Sequence, residues 1–300
     1  MKYFSVTVVL FMLSVISAAA QLPYSEDQFR AFDAKGSPVT MADIVKAAGD
    51  ADVVFLGEQH DDPVGHAIEA EVFRRVYAEY GTKRKVTLSM EMFERDVQIV
   101  LNEYLGSLIT EKHFLDASRP WGNYKTDYRP LVEFAKDKRL EVVAANAPRR
   151  YVNMVSRGGR EALDALSKQA KEWLPHLPYA EASPAYAAKF KALMGPSPEA
   201  QMGIDKILSS QSLWDASMAD AVTKALKRDN RSLVVHLNGG FHTESRLGTV
   251  EHLLKYRPKA RVVVVTMLSV DDFKAFDKAK QTDLGDFVIL TDGKLPRSKR

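Results

Sequence analysis

Two stretches of the form Gly-x-x-His, Gly57-Glu58-Gln59-His60 and Gly239-Gly240-Phe241-His242, each follow an apolar run. Glycine at the end of a buried strand permits a sharp turn and close backbone approach, which lifts the histidine over the sheet end. Two further runs end in Glu91-Met92-Phe93-Glu94-Arg95 and in Asn146-Ala147-Pro148-Arg149-Arg150. Two neutral imidazoles and a carboxylate suit a divalent metal ion, which makes His60, Glu91 and His242 candidate ligands. The same groups can do acid–base work without a metal, with Glu58, Glu91 and Asn146 as candidate catalytic residues. Arg149 and Asn146 can bind an oxyanion or orient a carboxylate. Arg95, Arg149, Trp121 and Tyr128 complete the candidate ligand-binding set. The bland alternatives stay open: Glu58 and Glu91 can pair with Arg95 or Arg149 in a structural network, and Trp121, Tyr124 and Tyr128 can be packing aromatics rather than a platform for a planar ligand. His66, near Asp62 at a helix start, reads as structural, and His236 as a core residue.

The elements that must position these groups follow from hydrophobic periodicity. Apolar runs predict strands at 52–56, 85–90, 140–145, 232–237, 261–268 and 286–291. Helical spacing predicts helices at 40–48, 66–80, 96–105, 130–138, 213–228 and 249–256. Gly81 stops the second of these. Such alternation predicts an α/β fold with a mostly parallel sheet flanked by helices. Between about 151 and 212 the alternation gives way to helical pattern with several prolines, which predicts an inserted helical subdomain over the strand ends. Ligands of open parallel sheets bind at the carboxyl ends of strands, where the candidate residues fall.

The 300 residues are 46% hydrophobic and 27% charged, with 42 basic and 39 acidic side chains. That mix excludes a disordered chain, a collagen-like fibre and a long coiled coil, and a net charge of +3 gives no reason to expect nucleic acid as a partner. The absence of cysteine excludes disulfides, thiolate zinc sites, iron–sulfur clusters and a lipid-modified cysteine. The start of the chain carries Lys2, an apolar run to Ile16 and Ala18-Ala19-Ala20. That order predicts a signal peptide over residues 1–20, cleaved after Ala20, and a periplasmic protein of residues 21–300 that is not a lipoprotein. Dinucleotide, P-loop, zincin and nucleophile-elbow motifs are absent.

Taken together, Val53–Asp62, Ser89–Arg95, Trp121 with Tyr128, Ala145–Arg149 and Asn238–His242 resemble the blocks of the ChaN-like family of the Tiki superfamily. The resemblance runs from about Phe32 to the last strand. It implies an α/β fold with a helical subdomain, haem as ligand and cofactor, a role in haem or iron uptake, a possible homodimer, and an outer-membrane haem or iron receptor as a further partner. The Tiki branch implies a metal-dependent hydrolase instead, with His60, Glu91 and His242 as its metal-site counterparts. Without cysteine, a haem iron would be ligated by Tyr, His or Met. The insert offers Tyr151, Met154, His176, Tyr179, Tyr186, Met194 and Met202, with Arg149 or Arg150 free to meet a propionate.

Overall fold

The computed structural model describes residues 24–195, 203–229 and 231–299. Eight strands form one sheet: β1 Phe29–Asp33, β2 Pro38–Val39, β3 Val53–Glu58, β4 Lys85–Glu94, β5 Glu141–Asn146, β6 Ser232–Gly239, β7 Val262–Val270 and β8 Phe287–Asp292. Their order is β2-β1-β8-β7-β3-β6-β4-β5. All pairings from β8 to β5 are parallel, and only β1 pairs antiparallel, with β2 and β8. The expected mostly parallel α/β sheet is therefore present.

Helices α1 Met41–Ala47, α2 Pro63–Tyr80, α3 Gln98–Leu105, α4 Glu111–Ser118 and α5 Arg129–Asp137 lie in the first half. Those of the second half are α6 Arg149–Gly158, α7 Lys168–Lys171, α8 Pro184–Met194, α9 Ile204–Arg228, α10 Thr249–Tyr256 and α11 Lys278–Gln281. Side chains alternate across a strand, so β3 serves two cores at once. Val54 and Leu56 pack with Ile68, Val72, Phe73 and Val76 of α2 on one face. Val53 and Phe55 pack with Met218 and Val222 of α9 and Val250 and Leu253 of α10 on the other. This is why the central strands read as continuous apolar runs.

Topology fixes where the site lies. The chain leaves β3 through α2 and arrives at β4, beyond β6, whereas it leaves β6 through α10 and arrives at β7, beyond β3. Connections diverging from two adjacent parallel strands open a crevice at their carboxyl ends, and that crevice lies between the two Gly-x-x-His turns.

Some boundaries differ from the sequence reading. β4 continues to Glu94, so Glu91 lies in the strand, in a stretch where the register with β5 shifts between Met90 and Glu94. Such irregularities re-aim side chains. Helix α9 starts at Ile204, nine residues earlier than the pattern suggested. Serines weaken the helical signal there, but Ser210 and Ser212 donate to the carbonyls of Ile207 and Leu208 and are accommodated in the helix. Helix α4 and a π-helical turn at Tyr124–Tyr128 occupy the stretch between the helices expected at 96–105 and 130–138. From α6 to Tyr179 the chain builds a small core of Tyr151, Val155, Leu163, Leu174 and Tyr179 against Leu213 and Ala216 of α9.

Phe55 is fully buried in the central strand. Phe55→Ala is expected to destabilise the protein by about 3–5 kcal/mol. Urea denaturation checks this as a lower midpoint with an unchanged slope.

Candidate functional site

Glu58, the last residue of β3, is almost wholly buried and is the hub of the first half of the site. Its Oε1 accepts from the Tyr128 hydroxyl at 2.7 Å and lies 2.6 Å from His60 Nδ1. Its Oε2 is 3.3 Å from His66 Nδ1, which is also 3.0 Å from Glu69 Oε2. His66 Nε2 meets the His60 carbonyl at 3.2 Å and Asp127 Oδ2 at 3.5 Å. Asn123 Nδ2 donates to both the His60 carbonyl and Asp127. These residues are brought in by the β3 turn, the first turns of α2, and the Trp121–Tyr128 segment.

Burial alone would strip the proton from His66, but the carboxylates of Glu58 and Glu69 outweigh it and hold its pKa up to about 11. Glu58 is pulled well below the usual carboxylate range: burial opposes ionisation, and the His66 and His60 rings overcome it. Glu69 moves the other way, raised by burial and by the charge on Glu58. The three residues thus form a mutually compensating buried unit, with the charge of His66 set against Glu58 and Glu69. Glu58, His66 and Glu69 offer ligand atoms close enough together to hold a cation.

The second half centres on His242. Its Nδ1 is 2.8 Å from Asp215 Oδ1, which also accepts from the Thr249 hydroxyl at 2.8 Å. Its Nε2 lies 3.9 Å from Glu91 Oε1, and Glu91 Oε2 accepts from the Gly239 amide at 2.7 Å. Burial lowers the His242 pKa, but Asp215 and Glu91 outweigh it and carry it up to about 9. Asp215 is held below its ordinary value because His242 overcomes the effect of its own burial.

The two halves meet at Gly239. The His60 ring sits against this residue so closely that a Cβ there would lie 2.7 Å from Cε1 and 2.8 Å from Nε2. Gly57 answers a similar demand, since a Cβ would come within 3.0 Å of the Gly240 backbone. The glycines of the two motifs therefore allow the turns to interlock. Each histidine has Nδ1 on a carboxylate, Glu58 for His60 and Asp215 for His242, which leaves Nε2 as the outward nitrogen.

The remaining sequence candidates take varied places. Tyr128 is fully buried on Glu58, while Trp121 is half-buried with its ring 4.8 Å from that of His60. Tyr124 packs edge-on against Phe93 and Phe114. Arg95 is buried in an ion pair with Asp220 at 2.7 Å, away from both glutamates. Arg149 is exposed, with its nearest carboxylate, Glu94, at 3.7 Å. Asn146 turns its Oδ1 onto the following amide, that of Ala147. His236 is buried beside Ser89, and burial drives its pKa down to about 3.

Asp215, Glu69, Asn123 and Asp127 escaped the sequence reading. A signal existed for two of them: Asp215 falls on the stripe of Met218, Ala219 and Val222, and Glu69 sits on the inner face of α2 beside Ile68 and Val72. A charge on an apolar stripe is a buried partner in waiting.

The chain matches the family described as haem-binding uptake, Tiki superfamily, ChaN, over residues 44–253. Among solved structures, it is similar to ChaN of Campylobacter jejuni, described as binding haem cofacially, at 19% identity and a TM-score of 0.69 over 89% of this chain and 98% of that one. Weaker likeness extends to a succinoglycan biosynthesis protein (13% identity, TM-score 0.48, 84% and 90% covered) and to a Bacillus cereus protein (13%, 0.44, 77% and 70%). No curated protein matches.

Removing His66 strands two buried carboxyl groups, so His66→Gln is expected to cost about 3–5 kcal/mol. The sign of its pH dependence follows from the raised pKa. The contribution of His66 is complete below its unfolded value of 6.5 and fades as pH climbs through about 11. The gap in Tm between wild type and variant should be widest at about pH 6 and narrow steadily on the alkaline side. A gap that widens with rising pH would contradict the imidazolium assignment.

Proposed function

The chain belongs to the ChaN family of haem-binding uptake proteins in the Tiki superfamily, and we propose that it binds haem on its helical insert and handles it in the periplasm during haem or iron uptake. The observation that supports this reading most is the end of α8, where Leu193 is 67% and Met194 37% exposed. Large apolar side chains held in water mark a surface that something covers. A flat macrocycle with an iron that needs a protein donor such as thioether, imidazole or phenolate suits that surface.

The donors of the insert sort by accessibility. Tyr179 is buried, donates to the Ser209 carbonyl, and has its pKa pushed up to about 12 by burial. Tyr186 is buried, and burial and Asp215 raise its phenol well above the ordinary value. Neither can present a phenolate to an iron outside the fold. Met194 and His176 are exposed, whereas Tyr151 is buried, with Arg150 donating to its hydroxyl. Arg149, exposed at the start of the same helix, can meet a propionate. Met202 and residues 1–20 lie outside the described residues. The periplasmic setting rests on the leader-like sequence of residues 1–20, and the homodimer and outer-membrane receptor remain parts of the same proposal.

A second reading, a metal-dependent hydrolase, has its own support in the carboxylate behind each strand-end histidine. On this reading His60, Glu91 and His242 hold a divalent cation, which when bound would activate water and polarise a carbonyl. Glu58 and Asp215 then orient the two rings, and His242 must give up its Nε2 proton to the solvent.

Haem titration of residues 21–300, followed by Soret absorbance, tests the first reading. Saturation at about one haem per chain is expected, lost when His176 and Met194 are replaced together. Tyr179→Phe and Tyr186→Phe should leave the affinity within about twofold. A shift no larger than that of an unrelated periplasmic protein would overturn it. For the second reading, dialysis against zinc or manganese followed by elemental analysis should give about one ion per chain in wild type and far less in His60→Ala or His242→Ala. Equal content in all three would remove the cation from consideration.

A further inference from the structure

A cavity of about 730 Å³ lies beside the strand-end site. Its walls are the first half of α2, the Gly122–Pro130 segment and the C-terminal segment Pro296–Lys299. The C-terminal wall is pinned: the Ser298 amide donates to the Asp61 carbonyl at 2.9 Å, its hydroxyl to Asp127 Oδ1 at 3.0 Å, and Arg297 to Asp61 Oδ1 at 2.7 Å. The cavity is therefore a built feature of the fold and not a gap beneath a loose tail.

Its lining is of two kinds. Pro63, Ala67, Ala70, Pro130 and Pro296 give small, stiff apolar surfaces. The charged residues divide unequally. Glu71 is neutralised by Arg74 and Arg75, and Asp127 is bonded by Asn123 and Ser298. Arg297 is spent on Asp61 and Gln59. Lys125 and Lys299, by contrast, stand in no ion pair among the described residues, though the charge of Lys125 also acts on Glu111. A half-open, partly apolar space that presents two ammonium groups attracts a negative head and shelters an apolar body.

We propose that this cavity binds an organic anion, with a compact apolar body against the prolines and alanines and one acidic group met by Lys125 and Lys299. It is separate from the haem reading. The only imidazole in its lining, His66, has Nδ1 on Glu58 and Glu69 and Nε2 on the His60 carbonyl, so it has no nitrogen left for an iron. Because His66 and Asp127 form the floor, an occupant would rest directly on the network that holds Glu58 and His60.

The test uses the full chain and two dyes of nearly the same shape: 8-anilino-1-naphthalenesulfonate, an anion, and uncharged N-phenyl-1-naphthylamine. Fluorescence titration should show saturable binding of the sulfonate at about one site per chain. Lys125→Glu with Lys299→Glu should weaken the sulfonate roughly tenfold and leave the neutral dye within about twofold. Raising salt from about 0.02 to 0.3 M should weaken only the sulfonate. Ala67→Trp should exclude both dyes, and Thr126→Trp, at an exposed position on the wall, does the same should Ala67→Trp fail to fold. Absence of saturable binding would overturn the proposal. So would binding indifferent to both lysines, or binding that survives the tryptophans and disappears in Leu193→Asp with Met194→Asp. A negative haem titration leaves this result untouched.

Discussion

A carboxylate at the end of a buried central strand cannot remain charged without compensation, and the fold around Glu58 is arranged to supply it. His60 comes from the turn that follows, His66 from the first turns of α2, and Tyr128 from the segment leading into α5. Each fixes an element. The start of α2 is further set by Asp62, which caps the Val64 amide and accepts from Thr291 of β8. Asp127 carries the network on to Ser298 near the chain end. One buried charge therefore ties together β3, α2, the Trp121–Tyr128 segment, β8 and the C-terminal segment.

The second half of the site obeys the same rule with different parts. His242 lies between Asp215 of α9 and Glu91 of β4, and Thr249 at the start of α10 completes the acceptor set of Asp215. Since α9 and α10 cover the face of the sheet opposite α2, the two histidine turns draw support from opposite layers. They meet only at Gly239, where the His60 ring, the Glu91 carboxylate and the β6 backbone share one residue. Any side chain at 239 would separate the halves, which is a stronger constraint than the flexibility of the turn.

Much of this was legible in the sequence because β3, β4, β5 and β6 are buried on both faces and therefore continuous in hydrophobicity. The Gly-x-x-His turns stood out because polar groups follow those runs abruptly. β1 and the edge strand β2 were not legible: five and two residues long, half-exposed, they carry no lasting alternation. Nor was the end of β4, whose polar Ser89 and Glu91 are buried like their apolar neighbours. The partners of the histidines were hidden for another reason. Asp215 is 27 residues from His242 in the chain, and only packing of α9 against the sheet brings them together. Arg95 illustrates the converse: the sequence allowed it to pair with Glu58 or Glu91, but the chain turns it to Asp220 on α9.

The two halves of the proposed function place different demands on the chain, and they fall on different surfaces. A cation needs a few converging ligand atoms, which among the described residues Glu58, His66 and Glu69 bring within reach of one another. A macrocycle needs a broad apolar face, which the strand-end crevice does not offer: His60 lies directly on Gly239, and Trp121 and Tyr128 close around it edge to face. The aromatic residues near His60 thus act as walls of a polar network and not as an open platform. On the proposed reading haem therefore falls to the insert, where Leu193 and Met194 are exposed. The strand-end groups are then free to keep a chemistry of their own.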